Sequence, residues 1–469
     1  MKPSKIEWGI ALLLFLFLFA SWDFEDTTII VGHQIDFADA IVHGEFRNPY
    51  QRAYDRTVDF QKNGNNNGRY APPYYDLPVN FVLGIWGLPL YILGGIDYVG
   101  NFAKILYGKS FFFIAFTISA WLVYKICRVL NLSDTKSQWG AFIYFTSSMA
   151  WNSVCLVGNI DAICTALTLA GILAYLRGRD RECFVWFMMA FPFKQLAAFI
   201  YLPLLLLKDK NIFRDALKMI AVAAVNVICN IPVLNCPGAV AAKAMFMRMM
   251  IQRLFMRTIP FMSSEVSVFV ILYGLLCVYC WLSPIPSDEH KRNHMTLFVA
   301  MTSIAVTLST ITAHPQWFLY FAPYLAVAVM YYKKFTKEIL LFETLGSLGL
   351  LGYNYVQYYW VYVPKCGLNM LLDKLLGHRK IMELSNVKAA ITSTTPSGKR
   401  LIDIIRFYVT SPTGAIYTCC MIVIILWLCR FQNTDSEHDI NMRPYALARL
   451  LANAAACYIP LIFFVSTIL

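Results

Sequence analysis

The sequence predicts an all-α protein: a polytopic transmembrane helical bundle of roughly 11–13 spans, with a large first extracytoplasmic loop that contains interfacial helices. Three observations carry that prediction. Of 469 residues, 58% are hydrophobic and only 14% are charged, against about 25% charged in an ordinary soluble domain. Apolar runs near the length needed to cross a bilayer recur along the chain. The short loops between them are alternately basic and nearly uncharged, which is the positive-inside pattern. Together these exclude a soluble enzyme of this length and exclude disorder. The net charge of +12 is assigned to a membrane face and an anionic lipid rather than to nucleic acid.

Residues 1–22 read as the first span. The apolar run 6–22 follows Lys2 and Lys5, and the chain continues Trp22-Asp23-Phe24-Glu25-Asp26, with no small-residue cleavage site. Residues 23–109 form the first outer loop with an interfacial segment. The run 79–97 contains Gly84, Gly87, Pro89, Gly94 and Gly95 and reads as a broken, non-spanning helix. If it crossed, every later loop would change sides and violate the charge rule.

Residues 110–363 form a transmembrane core built from the runs 110–130, 138–157, 161–176, 183–193, 195–207, 216–234, 266–283, 295–312, 316–332 and 339–363. The pair 183–193 and 195–207 is short and reads as a hairpin or broken helix around Pro192, Lys194 and Pro203. The loops 125–137, 177–182, 208–215, 288–294 and 333–338 are all basic and are placed inside. The junctions near 158–161, 193–195 and 313–316 carry one Lys between them and are placed outside. Within this core, 235–265 is a Met-rich basic outer loop. Residues 364–410 form a basic outer loop with eight Lys and Arg, and 411–469 hold the C-terminal spans.

Most of the 13 cysteines lie in apolar runs and act as small hydrophobes. No CxxC pair supports a zinc or redox site. Cys236 and Cys366 fall in loops and pair if those loops face an oxidising space.

The unusual polar residues gather on the outer face. They are Asp36 and Asp39, then Asn48-Pro49-Tyr50-Gln51-Arg52, then Arg69-Tyr70-Ala71-Pro72-Pro73-Tyr74-Tyr75-Asp76, all in the first outer loop. Gly158-Asn159-Ile160-Asp161, Phe193-Lys194-Gln195 and His314-Pro315-Gln316-Trp317 sit at three outer junctions. Each also has a plain reading: solvated loop carboxylates, helix caps, a lysine that snorkels, a histidine that ends a helix. Lys194 resists that reading most, because a charge inside an apolar stretch costs about 2.5–3.5 kcal/mol on insertion.

In this order, from 36 to 325, the motifs resemble the GT-C glycosyltransferases, in particular polyprenol-phosphate-mannose-dependent mannosyltransferases and the first GPI mannosyltransferase. The departures are the absence of an Asp-x-Asp, Gly-Asn in place of Gly-Gln, and no match after 340. The resemblance implies an inverting transfer of a sugar, a hexose such as mannose, from a polyprenyl-phosphate donor to an acceptor hydroxyl. Asp36, with Asp39 second, is the expected base. Lys194, His314, Arg248 and Arg253 are expected at the donor phosphate. Arg69, Tyr70, Asn159, Asp161 and Gln195 are expected at sugar or acceptor.

No cofactor is required; a divalent metal is admissible, but no residue pattern calls for one. The expected partners are the polyprenyl-phosphate sugar, membrane lipids and a glycan, glycolipid or protein acceptor. An accessory subunit is compatible with the resemblance, and nucleic acid is not expected. The expected location is a plasma (inner) membrane with an extracytoplasmic site, or the ER membrane with a lumenal one. Two alternatives stay open: an O-antigen ligase or polysaccharide polymerase using a pyrophosphate-linked glycan, for which Arg379, Lys380, Lys399 and Arg400 speak, and a lipid-linked-sugar flippase.

Overall fold

The computed structural model describes residues 2–21, 25–63, 73–95, 102–311, 313–331, 336–357 and 441–466, with a few positions between 414 and 422. The described chain is mostly helical. Its elements are α1 (Lys5–Ser21), α2 (Glu25–His43), α3 (Asn48–Asn63), α4 (Leu77–Gly94), α5 (Phe102–Val129) and α6 (Asp134–Phe145). The short α7 (Ser148–Trp151) runs into a π-helix (Asn152–Val157), followed by α8 (Asp161–Leu176), α9 (Asp180–Phe193), α10 (Leu196–Lys208) and α11 (Ile212–Cys229). A 3-10 turn (Ile231–Val233) precedes α12 (Pro237–Phe255). Beyond it come α13 (Val268–Leu282), α14 (Glu289–Thr310), a 3-10 helix (Pro315–Tyr320), α15 (Ala322–Tyr331), α16 (Thr336–Gln357) and α17 (Arg443–Ser466).

The all-α expectation needs one amendment. Between α12 and α13 an antiparallel hairpin pairs β1 (Thr258–Phe261) with β2 (Ser264–Ser267). The tract 258–267 carries the β-branched Thr258, Ile259 and Val266, which favour a pleated ribbon, and Pro260, which disfavours a helix interior.

The described part of the segment expected as the first outer loop is largely helical up to residue 63, as α2 and α3. Helix α3 is so polar (NPYQRAYDRTVDFQKN) that a search for apolar runs passes over it. The expected break in 79–97 is absent: α4 is continuous from Leu77 to Gly94. Its glycines mark a helix crossing instead. A Cβ on Gly87 would lie 2.2 Å from the Gln34 carbonyl oxygen, and one on Gly84 would lie 2.8 Å from the Phe37 backbone. The small residues let α4 lie directly on α2. Helices α4 and α5 are each long and apolar enough to cross a membrane.

The core is rich in aromatic side chains. Phe15 of α1 stacks on Phe116 of α5 at 5.3 Å and meets Trp151 edge-on at 6.1 Å, in the offset and T-shaped geometries that ring quadrupoles favour. The π-helix ends at Gly158, and the last carbonyls of a helix lack helical partners. Lys109 of α5, fully buried, donates to Cys155 O at 2.9 Å and to Phe19 O at 2.7 Å, and Thr27 donates to Val157 O at 2.6 Å. One lysine thus ties α1, α5 and the π-helix together. Gly158 then turns the chain at φ +58°, with Thr27 Oγ1 2.7 Å from where a Cβ would sit. Only glycine meets both conditions cheaply.

On the other side of the core, the carboxylate of buried Glu343 in α16 accepts two bonds, at 2.6 and 2.7 Å, from Arg449 of α17. Arg449 also donates to Thr146 Oγ1 at 2.9 Å, closing the end of α6.

Four helices share a common arrangement. α8 and α10 begin, and α9 and α14 end, at the junctions holding Asp161, Lys194 and His314. Their other ends, at Leu176, Lys208, Asp180 and Glu289, gather at the opposite end: Lys208 pairs with Asp180, and Arg177, Lys208 and Arg292 line one cavity. Three of the basic loops, 177–182, 208–215 and 288–294, therefore meet at one end of these helices, and the near-uncharged junctions meet at the other.

Candidate functional site

The junctions at 158–161, 193–195 and 313–317 converge on one cluster. Asp161 opens α8, where the positive end of the helix dipole suits a carboxylate, and Lys194 closes α9, where the negative end suits an ammonium. Lys194 Nζ lies 3.4 Å from Asp161 Oδ1. Asp161 is 0% and Lys194 6% exposed. Tyr320 donates to the same carboxylate at 2.9 Å.

Pro315 opens the 3-10 helix, whose three residues per turn align positions i, i+3 and i+6. His314, Trp317 and Tyr320 therefore present one face. Trp317 is flanked by two cations: Lys194 Nζ and the Arg253 guanidinium each lie 5.3 Å from its ring centroid. Tyr75, just before α4, places its ring 5.8 Å from Lys194 Nζ and donates to Asn159 Oδ1 at 3.1 Å.

Arg253, on the last turn of α12, lies 2.5 Å from His314 Nε2. A guanidinium can only donate, so Nε2 accepts and the ring proton sits on Nδ1. Burial, then the charges of Arg253 and Lys194, push the imidazole down to about 3. With its proton on Nδ1, His314 accepts from Arg253 as a neutral ring.

The carboxylates of the first loop form a second group. Asp36 and Asp39, three residues apart on α2, share a helix face and both face Arg52 of α3, at 3.6 and 3.1 Å. Spaced two apart, as in Asp-x-Asp, they would diverge on a helix. His43 pairs with Asp39 at 3.1 Å. The groups connect through aromatic residues: Phe37 packs on Tyr50 at 5.4 Å, and Tyr50 donates to the Tyr75 carbonyl at 3.2 Å.

Of the other expected residues, Gln195 caps α10 through its backbone, without a side-chain cap bond. Arg248 is exposed on α12 and is not brought to the cluster. Arg69, Tyr70, Cys366 and the loop 364–410 lie outside the described residues. Cys236 is buried, its Sγ 3.7 Å from Arg47 O and 3.8 Å from Gln51 Oε1.

Sequence reasoning undervalued Tyr75, Trp317 and Tyr320. The three-residue spacing 314, 317, 320 after a proline was the available signal. Sequence reasoning named Asp76 without giving it a role; Asp76 accepts from Asn230 at 2.9 Å and pairs with Lys243 at 3.0 Å, anchoring α12 beside Tyr75. Among the described residues, no group of three or more His, Cys, Asp or Glu is placed to hold a metal ion.

No protein-family model matches the chain, and no curated protein does.

Proposed function

We propose that the protein is a polytopic membrane glycosyltransferase of the GT-C kind. It transfers a sugar, a hexose such as mannose, from a polyprenyl-phosphate donor to an acceptor hydroxyl on the extracytoplasmic face, with inversion. The observation that carries the reading is the pairing of two cations, Lys194 and Arg253, around the Trp317 ring at the junction end of the helices. The membrane part is supported by exposed apolar stripes. Ile6, Ile10, Leu13 and Phe17 line one side of α1 at helical spacing, 74%, 48%, 70% and 49% exposed, which suits lipid rather than water.

In the reaction, the acceptor oxygen bonds to the anomeric carbon while the bond from that carbon to the phosphate oxygen breaks. The electron pair leaves with the phosphate, whose charge rises from one to two negatives. Lys194 and Arg253 oppose that growing charge in a site shielded from water, where such stabilisation is strongest. His314 holds Arg253 in place. Asp161 holds Lys194 until the phosphate competes for it. The acceptor proton goes to Asp36 or Asp39, which need only one of the two to act in a single displacement. The Arg52 guanidinium fixes both carboxylates.

The test is incubation of the purified chain with a labelled polyprenyl-phosphate monosaccharide and acceptor, reading the anomeric configuration of the product. Inverted product supports the reading. Retained configuration, or transport without bond cleavage, defeats it.

A further inference from the structure

At the opposite end of the same helices lies a cavity of about 560 Å³ that the transfer reaction does not use. It is separated from Asp161 by the length of α8, about 24 Å for its 16 residues. Arg177, Lys208 and Arg292 line it, against a single lining carboxylate, Glu289, and its walls include Leu176, Leu207 and Ile285. Lys208 is engaged by Asp180 and sits over the Tyr175 ring at 5.4 Å. Arg177 and Arg292 are exposed, and neither is in an ion pair among the described residues.

The cavity therefore combines two available guanidinium groups with an aliphatic wall. That is the chemistry of an anionic amphiphile: a phosphate that accepts paired N–H donors and a chain that removes apolar surface from water. Basic pockets between helices at a membrane face are suited to acidic headgroups. We infer that this cavity binds the phosphate headgroup of an anionic phospholipid, its acyl chain lying along Leu176, Leu207 and Ile285. The site is distinct from the donor cluster and does not depend on the transfer chemistry.

The test is thermal unfolding of the full chain, followed by tryptophan fluorescence, in detergent supplemented with phosphatidylglycerol, phosphatidylcholine or inorganic phosphate. Phosphatidylglycerol is expected to raise the midpoint by about 3–5 °C, phosphatidylcholine and inorganic phosphate much less. The R177Q/R292Q variant should lose that rise while keeping the wild-type midpoint in phosphatidylcholine. Should it fail to fold, Ile285→Glu on the apolar wall takes its place. An equal rise in the variant, or with phosphatidylcholine, overturns the site. An equal rise with inorganic phosphate overturns the lipid assignment in favour of a soluble anion.

Discussion

Lys194 and Asp161 form an ion pair at 3.4 Å in which neither residue reaches solvent appreciably. A buried pair gains little net stability, but breaking it leaves a charge without compensation. Asp161→Asn should therefore destabilise the protein by about 3–5 kcal/mol. The double variant D161N/K194M should recover most of that loss, because it removes both charges. Chemical unfolding of the three proteins measures it, and a single variant as stable as wild type would show that the pair is not desolvated.

Arg253 and Lys194 flank the same indole and are assigned to the same phosphate. Lys194→Met and Arg253→Gln should each lower turnover by about 10²–10³. Arg248→Gln, on the exposed side of α12, should change it by less than about threefold. If Arg248→Gln is as damaging as Arg253→Gln, the helix face has been misassigned.

His314 carries a pH signature. Its folded value, pushed down to about 3 by burial and by neighbouring charge, lies below the ordinary 6.5. The unfolded chain thus binds a proton that the folded chain does not, and stability falls as pH drops below about 6.5 toward 3. The contribution approaches 1.4 kcal/mol per pH unit, roughly. His314→Gln keeps an acceptor for Arg253 and should flatten the slope between pH 6.5 and 5. Identical slopes in the two proteins would place a charged imidazole there.

Asp36 and Asp39 share Arg52 but need not share the chemistry. Asp36→Asn should abolish transfer with donor binding nearly intact, and Asp39→Asn should reduce it less. Both are read by product formation alongside equilibrium binding of the donor. Full activity in Asp36→Asn moves the base to Asp39 or to a third carboxylate.

Gly158 stands where a left-handed turn meets a close neighbour. Gly158→Ala should cost about 1–2 kcal/mol for the backbone alone, and more for the contact with Thr27 Oγ1. A thermal midpoint unchanged by the substitution would mean that the turn leading to Asp161 relaxes freely.

What could be read from the sequence followed from local rules. Lys194 stood out because a charge in an apolar run demands a reason, and the structure gives Asp161 as its partner. That partner lies 33 positions away, beyond what a local pattern shows. Choosing Arg253 over Arg248 needed the phase of α12: five residues turn a helix by about 140°, so the two arginines face apart. The glycines of α4 were legible as a feature but not as a contact, since the same residues serve a break or a close crossing. Asp36 and Asp39 looked like a defective motif until α2 showed that an i, i+3 spacing is what puts two carboxylates on one helical face.

The most direct measurement is release of polyprenyl phosphate from a labelled polyprenyl-phosphate monosaccharide by purified wild type and by Lys194→Met. Release by wild type that falls about 10²–10³ in the variant is the result predicted here. No release from that donor, or turnover only with a pyrophosphate-linked oligosaccharide, would contradict the assignment.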